Sequence, residues 1–255
     1  MDWSNKTVMV TGATAGIGAA TALRFAEEGA TLVITGRRKE RLETMADVLT
    51  SAGAKKVYIH RFDIQKKEQI ASVAKNITGD NLSIDVLVNN AGLSRNFSPL
   101  WEDNTDGWDD MIDTNIKGLL HMTRVLLPGM IEKNSGHIIN IGSIAGHEAY
   151  PNGAVYCATK HAVKAITASL RMDLLKTNIR VSSIDPGLVE TEFSEVRFYG
   201  DKERAENVYK GFRPLTAADI AESVFWSASM PEHVTIAEML VLPTDQASAT
   251  MVHKK

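Results

Sequence analysis

A tyrosine and a lysine four residues apart, preceded by a serine, are the residues whose types and spacing most clearly indicate chemistry. Tyr156 and Lys160 form a Tyr-x-x-x-Lys pair in a stretch of helical periodicity, so they share one helix face. A tyrosine with a pKa of about 10 is a poor acid–base catalyst at neutral pH, but a neighbouring ammonium favours its phenolate. Ser143 follows a predicted strand and can donate a hydrogen bond to a carbonyl oxygen that gains negative charge. Each residue alone is compatible with packing, solvation or a turn, whereas together they predict proton transfer at an alcohol or carbonyl group.

A glycine-rich turn near the N-terminus indicates a dinucleotide site. Residues 11–18 read TGATAGIG, with an apolar β-branched run before them and a helical pattern after them. Glycines let the backbone approach a pyrophosphate, and the helix start offers free N–H groups to it. A tight turn without a ligand is the alternative, but the flanking strand and helix favour the dinucleotide. The predicted cofactor contacts in this turn are Gly12, Thr14, Ala15, Gly16, Ile17 and Gly18.

The end of the second predicted strand distinguishes between the two nicotinamide dinucleotides. An NAD site usually has an acidic residue here, which accepts hydrogen bonds from the adenosine ribose. This chain has Gly36 in that place, followed by Arg37 and Arg38. Guanidinium groups bind a 2′-phosphate through charge-assisted hydrogen bonds. The sequence therefore predicts NADP(H), the alternative being arginines that only begin a solvated helix.

Residues that follow the other predicted strands complete the predicted cofactor site. The carboxyl ends of parallel strands lie along one edge of a sheet, where ligands of such folds bind. Asp63 follows the third strand, although it could equally cap the next helix. The predicted contacts at these positions are Asp63, Asn89, Ala91, Gly92, Pro186, Gly187, Val189 and Thr191, together with Tyr156 and Lys160.

The elements that must position these residues alternate regularly along the chain. Nearly continuous apolar strands, as found here, are typical of a parallel sheet buried on both faces. Repeated βα order predicts one Rossmann-like, doubly wound α/β domain over residues 1–255. The predicted strands are Thr7–Thr11, Thr31–Thr35, Val57–Phe62, Asp85–Asn89, His137–Ile141, Ile179–Ile184 and Glu238–Leu242. The predicted helices are Ile17–Glu28, Lys39–Ser51, Lys66–Thr78, Thr105–Lys133, Ala154–Lys176 and Ala217–Met230.

Composition excludes several classes of protein. The chain has 255 residues, of which 44% are hydrophobic and 23% charged, an ordinary globular mixture. A net charge of −3 provides no diffuse positive field for nucleic acid or an anionic membrane. The single Cys157 and the spacing of the histidines indicate neither a disulfide nor a metal site. With no signal peptide and no apolar run of about 20 residues visible, we expect a cytoplasmic protein.

The motifs together resemble the short-chain dehydrogenase/reductase family. In order, the chain carries TGATAGIG, NNAG, the Asn115 of DTNIKG, Ser143, YCATK and DPG. The resemblance implies a catalytic tetrad of Asn115, Ser143, Tyr156 and Lys160. In such a tetrad the tyrosine exchanges the substrate proton, the lysine holds the nicotinamide ribose and lowers the tyrosine pKa, the serine orients the carbonyl, and the asparagine site holds a water. Ala15 departs from the basic residue that many NADP-dependent members have there, so 2′-phosphate recognition would depend on the two arginines after Gly36.

The C-terminal third resembles the subgroup of NADP-dependent 3-hydroxy acid dehydrogenases, which includes serine and L-allo-threonine dehydrogenases. The resemblance covers GLVETEFSEVRFYGDKERAENVY, PLTAADIAESV and LPTDQAS. It implies a substrate-covering loop and helix over residues 188–215. Arg197 in this segment is expected to hold a small anionic hydroxy or carbonyl substrate, unless it is simply an exposed loop arginine. Tyr150 is expected to line the substrate pocket.

The expected activity is interconversion of a short 3-hydroxy acid with its 3-oxo acid or semialdehyde. Sulfoacetaldehyde reduction to isethionate and broad carbonyl reduction are alternatives within the family, and an NADP(H) sensor is the non-enzyme alternative. The family resemblance also implies a homodimer or homotetramer, in which counterparts of the helices Thr105–Lys133 and Ala154–Lys176 pair.

Overall fold

Seven parallel strands form one central sheet in the structure, a computed structural model that describes residues 2–79 and 82–255. The strands are β1 (Thr7–Val10), β2 (Thr31–Gly36), β3 (Lys56–Arg61), β4 (Val86–Asn89), β5 (Gly136–Ile141), β6 (Ile179–Pro186) and β7 (Glu238–Val241). Their order in the sheet is β3-β2-β1-β4-β5-β6-β7. From β1 the chain adds β2 and β3 on one side of the sheet and then β4 to β7 on the other. This change of side opens a crevice between β1 and β4 at the carboxyl edge of the sheet. The predicted doubly wound fold is confirmed, with strand limits that differ by at most two residues.

Helices cover both faces of this sheet. They are α1 (Gly16–Glu27), α2 (Lys39–Ser51), α3 (Lys67–Gly79), α4 (Thr105–Ile112), α5 (Leu119–Glu132), α6 (Ala154–Asp173), α7 (Phe193–Arg197), α8 (Lys202–Tyr209) and α9 (Ala217–Ala228). A π-helical segment, Asp113–Gly118, joins α4 to α5. None of the described helices is long and apolar enough to cross a membrane.

Two apolar clusters hold these layers together. Successive strand residues point to opposite faces, so Val8 and Val10 of β1 pack with α1, α2 and α9, while Met9 packs with α3 and α5. Phe25 of α1 meets Trp3 edge to face at 4.8 Å between ring centres. Burying each side chain of this size stabilises the fold by about 1.5–3 kcal/mol. The carboxyl edge of the sheet is therefore a rigid support for ligand-binding residues.

The predicted uniform helix over Thr105–Lys133 needs a correction, because its centre is the π segment. An extra residue per turn there brings Thr114 and Asn115 into the interior. The side chain of Asn115 accepts a hydrogen bond from the backbone N–H of Leu93 at 2.9 Å and donates to the carbonyl of Leu93 at 2.8 Å. Single π turns of this kind are frequent at functional sites. Hydrophobic periodicity cannot reveal this π segment, because its Asn115 side chain is held by Leu93, which lies in a loop far away in the sequence.

Candidate active site

A cleft of about 740 Å³ lies at the carboxyl edge of the sheet. Its walls come from the glycine-rich turn, the ends of β2, β4, β5 and β6, and residues 188–209. The sequence-predicted residues that line it are Gly12, Thr14, Ala15, Gly16, Ile17, Arg37, Arg38, Asp63, Ala91, Gly92, Ser143, Tyr150, Tyr156, Lys160, Pro186, Gly187, Val189, Thr191 and Arg197. Three others, Gly18, Asn89 and Asn115, do not line it.

The glycine-rich turn presents its backbone to this cleft. Gly12 has a φ of +68°, a left-handed conformation that glycine adopts without strain, and a Cβ on it would lie 2.9 Å from the Cα of Ala91. The hydroxyl of Thr11 accepts hydrogen bonds from the backbone N–H groups of Asn90 and Ala91, both at 3.0 Å. Gly18 lies behind the turn, where a Cβ would collide with the Asn90 amide at 2.3 Å. Gly18 thus permits close packing of α1, whereas the turn itself faces the cleft.

The end of β2 forms a basic part of the cleft. A Cβ on Gly36 would lie 2.7 Å from the Cγ2 of Thr14, so an acidic side chain here would require Thr14 to move. Arg38 donates a hydrogen bond to the Thr14 hydroxyl at 2.8 Å. Arg37 is more than half exposed, and its nearest carboxylate is Asp63 at 3.9 Å. The local shape thus disfavours an acid at position 36 and leaves guanidinium groups at the cleft.

Arg41 lies beside this basic part and is linked to it through Glu192, which lines the cleft. It donates hydrogen bonds to the carboxylate of Glu192 at 2.6 and 2.9 Å, and Arg38 donates to the same carboxylate at 3.1 Å. Arg38 directly precedes α2 and Arg41 lies in its first turn, so the available signal was only that both arginines lie near the start of this helix. The approach of Glu192, 151 residues from Arg41, had no signal in the sequence.

Asn89 departs from the expected cofactor contact. Its side-chain amide is buried and donates hydrogen bonds to the Thr123 hydroxyl and to the side-chain Oδ1 of Asn140, both at 2.9 Å. The next residue, Asn90, lines the cleft instead. Asp63 lines the cleft, and its carboxylate accepts a hydrogen bond from the N–H of Gln65 at 3.1 Å. That bond lies in the turn before α3, which begins at Lys67, so Asp63 does not cap the helix, and its contact with the cofactor stays a prediction.

Ser143, Tyr156 and Lys160 converge on the opposite end of the cleft. The first lies after β5 and the other two on the first turns of α6. The Ser143 hydroxyl is hydrogen-bonded to Tyr156, and it accepts a hydrogen bond from the N–H of Ala145 at 3.1 Å. The Lys160 ammonium donates to the carbonyl of Ile141 at 2.8 Å and lies 5.9 Å from the Tyr156 ring centre. This is an arrangement that can exchange a proton with a bound alcohol or carbonyl.

Burial has the largest effect on the pKa values at this end of the cleft. It raises the pKa of Tyr156, while the Arg197 guanidinium and the Ser143 hydrogen bond favour the phenolate and oppose that rise. Burial also lowers the pKa of Lys160 to about 8, although the Asp185 carboxylate favours its ammonium form. The expectation named Lys160 as the cation acting on the tyrosine. In the structure a second cation is present, since the Arg197 guanidinium lies 5.4 Å from the Tyr156 ring centre and the Lys160 ammonium 5.9 Å.

Asn115 lies behind the catalytic end rather than in the cleft. Its amide donates to the Thr159 hydroxyl at 3.0 Å in addition to its two bonds with Leu93. The hydroxyl of Thr159 in turn donates to the carbonyl of Tyr156 at 2.8 Å. The side chain thus links the π segment to the first turns of α6, and its neighbour Thr114 lines the cleft.

A second polar network lies behind Lys160. The buried Asp185 carboxylate is hydrogen-bonded to the Ser183 hydroxyl and lies 2.7 Å from the Nε2 of His147. The other ring nitrogen of His147 lies 2.9 Å from the Lys164 ammonium, which is 3.2 Å from Glu238. His147, Asp185 and Glu238 together have metal-ligand atoms within 4.8 Å of one another, but the Lys164 ammonium already contacts two of these groups. Of this network, only Asp185 stood out in the sequence, through the DPG motif.

Arg197 reaches the catalytic end from α7. Its guanidinium donates to the Ser94 hydroxyl at 3.1 Å and to the Tyr150 hydroxyl at 3.4 Å, and lies 5.1 Å from the Phe193 ring centre. Within residues 2–79 and 82–255, no carboxylate lies within ion-pair distance of it. A cation in this position can bind an anionic ligand.

Comparisons with known proteins agree with this geometry. The family model of the short chain dehydrogenase matches residues 6–200. The NADP-dependent 3-hydroxy acid dehydrogenase YdfG of Escherichia coli (strain K12) is 44% identical over 250 residues, which cover 97% of this chain and 99% of that protein. The serine 3-dehydrogenase of Rhizobium radiobacter is 42% identical over 243 residues, or 95% and 96% of the two chains.

Solved structures extend the likeness to three dimensions. The closed form of a serine dehydrogenase complexed with NADP+ superposes with a TM-score of 0.91 at 44% identity, covering 98% of this chain and 100% of that one. A metagenomic short-chain oxidoreductase in complex with NADP gives a TM-score of 0.81 at 31% identity, with coverages of 96% and 99%. On this evidence the chain belongs to the short-chain dehydrogenase/reductase family.

Proposed function

We propose that the chain is an NADP(H)-dependent oxidoreductase that interconverts a short 3-hydroxy acid and its 3-oxo acid or semialdehyde. The observation that carries the proposal is the Arg197 guanidinium, which has no carboxylate partner among the described residues and faces the Tyr156 ring at 5.4 Å. The names of the relatives, which are 3-hydroxy acid and serine dehydrogenases, support the same class of substrate.

The position of Arg197 limits the size of the substrate. A carboxylate bound to this guanidinium lies close to Tyr156, so the reacting hydroxyl must be only a few bonds away. Ring faces of Phe193 and Phe97 lie 5.1 and 5.9 Å from the guanidinium, which shields a bound ion pair from water and strengthens it. Tyr150 adds a hydroxyl at the same point. A short acid with its hydroxyl on carbon 3 fits these constraints.

The other end of the cleft fits NADP(H). Gly12 and Gly16 bring the backbone of the turn to the cleft without side chains of their own, and Gly36 leaves no acid beside the arginines. Arg37 and Arg38 would bind the 2′-phosphate. Asp63 and the Ala91–Gly92 backbone would border the adenosine half, and Pro186, Gly187, Val189 and Thr191 the nicotinamide half.

The bound cofactor supplies one function, which is to accept or return a hydride. In the oxidation, the Tyr156 phenolate takes the proton of the substrate hydroxyl, and the Ser143 hydroxyl holds the same oxygen by a hydrogen bond. The positive charge of Arg197 stabilises the phenolate. Lys160 would hold the nicotinamide ribose, with its ammonium fixed by the carbonyl of Ile141. Asn115 keeps the first turns of α6 in position, and the water relay expected there remains part of the proposal.

Residues 188–215 are proposed as the cover of the substrate. This segment carries Arg197 on α7, and several hydrogen bonds tie it to the opposite wall, two of them to the backbone of α7. The guanidinium of Arg95 donates to the carbonyl of Val196 at 2.8 Å, and the N–H of Asn96 donates to the carbonyl of Arg197 at 3.2 Å. Closing such a segment over a substrate excludes water and completes the site.

A spectrophotometric NADP+ reduction screen tests the proposal. The panel holds L-serine, L-allo-threonine, 3-hydroxypropionate, 3-hydroxyisobutyrate and isethionate, with NAD+ as the control cofactor. Turnover of the hydroxy carboxylates with NADP+ is the expected result. A preference for isethionate would change the proposed substrate from a carboxylate to a sulfonate. If no compound is turned over although NADPH binds, the hydroxy acid assignment is rejected.

A further inference from the structure

The carboxylate of Glu192 occupies the basic part of the cleft. Glu192 lies directly before α7 and reaches across the mouth of the cleft to the first turn of α2. Both of its oxygens bond to Arg41, at 2.6 and 2.9 Å, and one also bonds to Arg38 at 3.1 Å. These bonds lower the pKa of the Glu192 carboxyl despite its partial burial, so the group is anionic at neutral pH.

Of these two arginines, Arg38 lines the ribose end of the proposed NADP(H) site. Arg38 bonds simultaneously to Glu192 and to the hydroxyl of Thr14 in the glycine-rich turn. A phosphate on the adenosine 2′-oxygen therefore meets an Arg38 whose two amino groups are already engaged, one of them by another anion. A carboxylate and a phosphate repel each other when they share a guanidinium. Either anion is favoured there only at the expense of the other.

We propose that Glu192 competes with the 2′-phosphate of NADP(H) for Arg38 and Arg41, and that phosphate binding releases α7 from α2. Glu192 is then a specificity-determining residue that weakens binding of the phosphorylated cofactor. Arg41 becomes a third phosphate ligand once Glu192 leaves it. Because Arg197 lies on the same short helix five residues later, cofactor binding changes the freedom of the substrate-binding cation. This inference rests on the proposed NADP(H) function.

Isothermal titration calorimetry with two adenosine fragments tests the competition. 2′,5′-ADP carries the 2′-phosphate and 5′-ADP lacks it, and neither reaches the catalytic end. Glu192→Gln keeps the shape of the side chain and removes its charge. Glu195→Gln is the matched control, because it removes the same charge from α7 at a carboxylate whose ion-pair partner is Lys202, 3.8 Å away.

We expect Glu192→Gln to bind 2′,5′-ADP about three- to tenfold more tightly than the natural chain, the range for a partly exposed multiple ion pair. Binding of 5′-ADP should stay unchanged, and Glu195→Gln should match the natural chain with both fragments. Equal or weaker binding of 2′,5′-ADP by Glu192→Gln would overturn the proposal. So would an equal gain for 5′-ADP or in Glu195→Gln, since either would indicate only a change in net charge.

Amide hydrogen exchange over residues 190–198 provides the second readout. In the natural chain, 2′,5′-ADP should speed exchange of α7 relative to 5′-ADP, and in Glu192→Gln the two fragments should give the same rates. Equal rates in the natural chain would show that α7 is not released and overturn the coupling. If the natural chain shows no preference for 2′,5′-ADP over 5′-ADP while Glu192→Gln acquires one, competition holds. If neither protein shows one, the proposed NADP(H) site itself fails.

Discussion

Replacing Arg197 by methionine should separate anionic from neutral substrates. Methionine keeps much of the apolar volume between Phe193 and Tyr156 but removes the guanidinium. A charge-assisted hydrogen bond contributes about 1.5–3 kcal/mol, so losing the carboxylate contact should lower kcat/KM for 3-hydroxypropionate by about 10- to 150-fold. The neutral 3-hydroxypropionamide never makes that ion pair. Its kcat/KM should fall by less than about threefold where Tyr156 is fully ionised.

The pH dependence adds a second signature to this variant. Arg197 opposes the rise that burial causes in the pKa of Tyr156, so removing its charge raises that pKa further. Oxidation requires the phenolate, and its rate therefore rises with pH as Tyr156 ionises. In Arg197→Met the pH at which kcat/KM rises should increase for both substrates. On the plateau at higher pH, where Tyr156 is ionised, the loss of kcat/KM should persist only for 3-hydroxypropionate and not for 3-hydroxypropionamide.

The assay is NADP+ reduction by both substrates across pH, with Lys202→Met as control. Lys202 is an exposed cation of the same segment, paired with Glu195, so its removal changes net charge without touching the cleft. Equal plateau losses for acid and amide would refute the anion-binding role of Arg197. An unmoved rising limb would refute its effect on Tyr156.

Four further outcomes are expected. Tyr156→Phe should lose nearly all turnover yet keep NADPH binding measured by fluorescence, and substantial remaining activity would contradict its role as acid and base. Arg37→Ala should weaken binding of NADPH far more than of NADH, and equal weakening would argue against a phosphate contact. Asp185→Asn should lower the pKa of Lys160 below its value of about 8, because the carboxylate favours the ammonium; an NMR titration of the Lys160 side chain should then shift to lower pH, and an unmoved titration would exclude this coupling. Ile131, exposed on α5, is expected to contact a second copy, so Ile131→Glu should reduce the dimer or tetramer fraction in analytical ultracentrifugation; a monomeric natural chain or an unchanged fraction would contradict this pairing.

The sequence by itself determined the elements and the local motifs. Hydrophobic runs and helical spacing placed all seven strands, because a sheet buried on both faces requires continuous apolar strands. The Tyr156–Lys160 pair could be identified from an i, i+4 spacing, and the glycine-rich turn from the strand and helix beside it. Each of these features depends on residues that are near neighbours in the chain. The family resemblance depends on the same local motifs in their order.

The tertiary structure decided which distant side chains meet. Asn89 and Asn90 are adjacent in sequence, yet only the second lines the cleft, because successive side chains at a strand end point in opposite directions. The bond between Arg38 and Glu192 joins residues 154 positions apart, and no local pattern encodes that pairing. The same is true of Arg197 beside Tyr156, a contact that depends on how residues 188–215 fold back over the sheet. Sequence therefore determined which chemical groups the chain carries, and packing determined which of them act on one another.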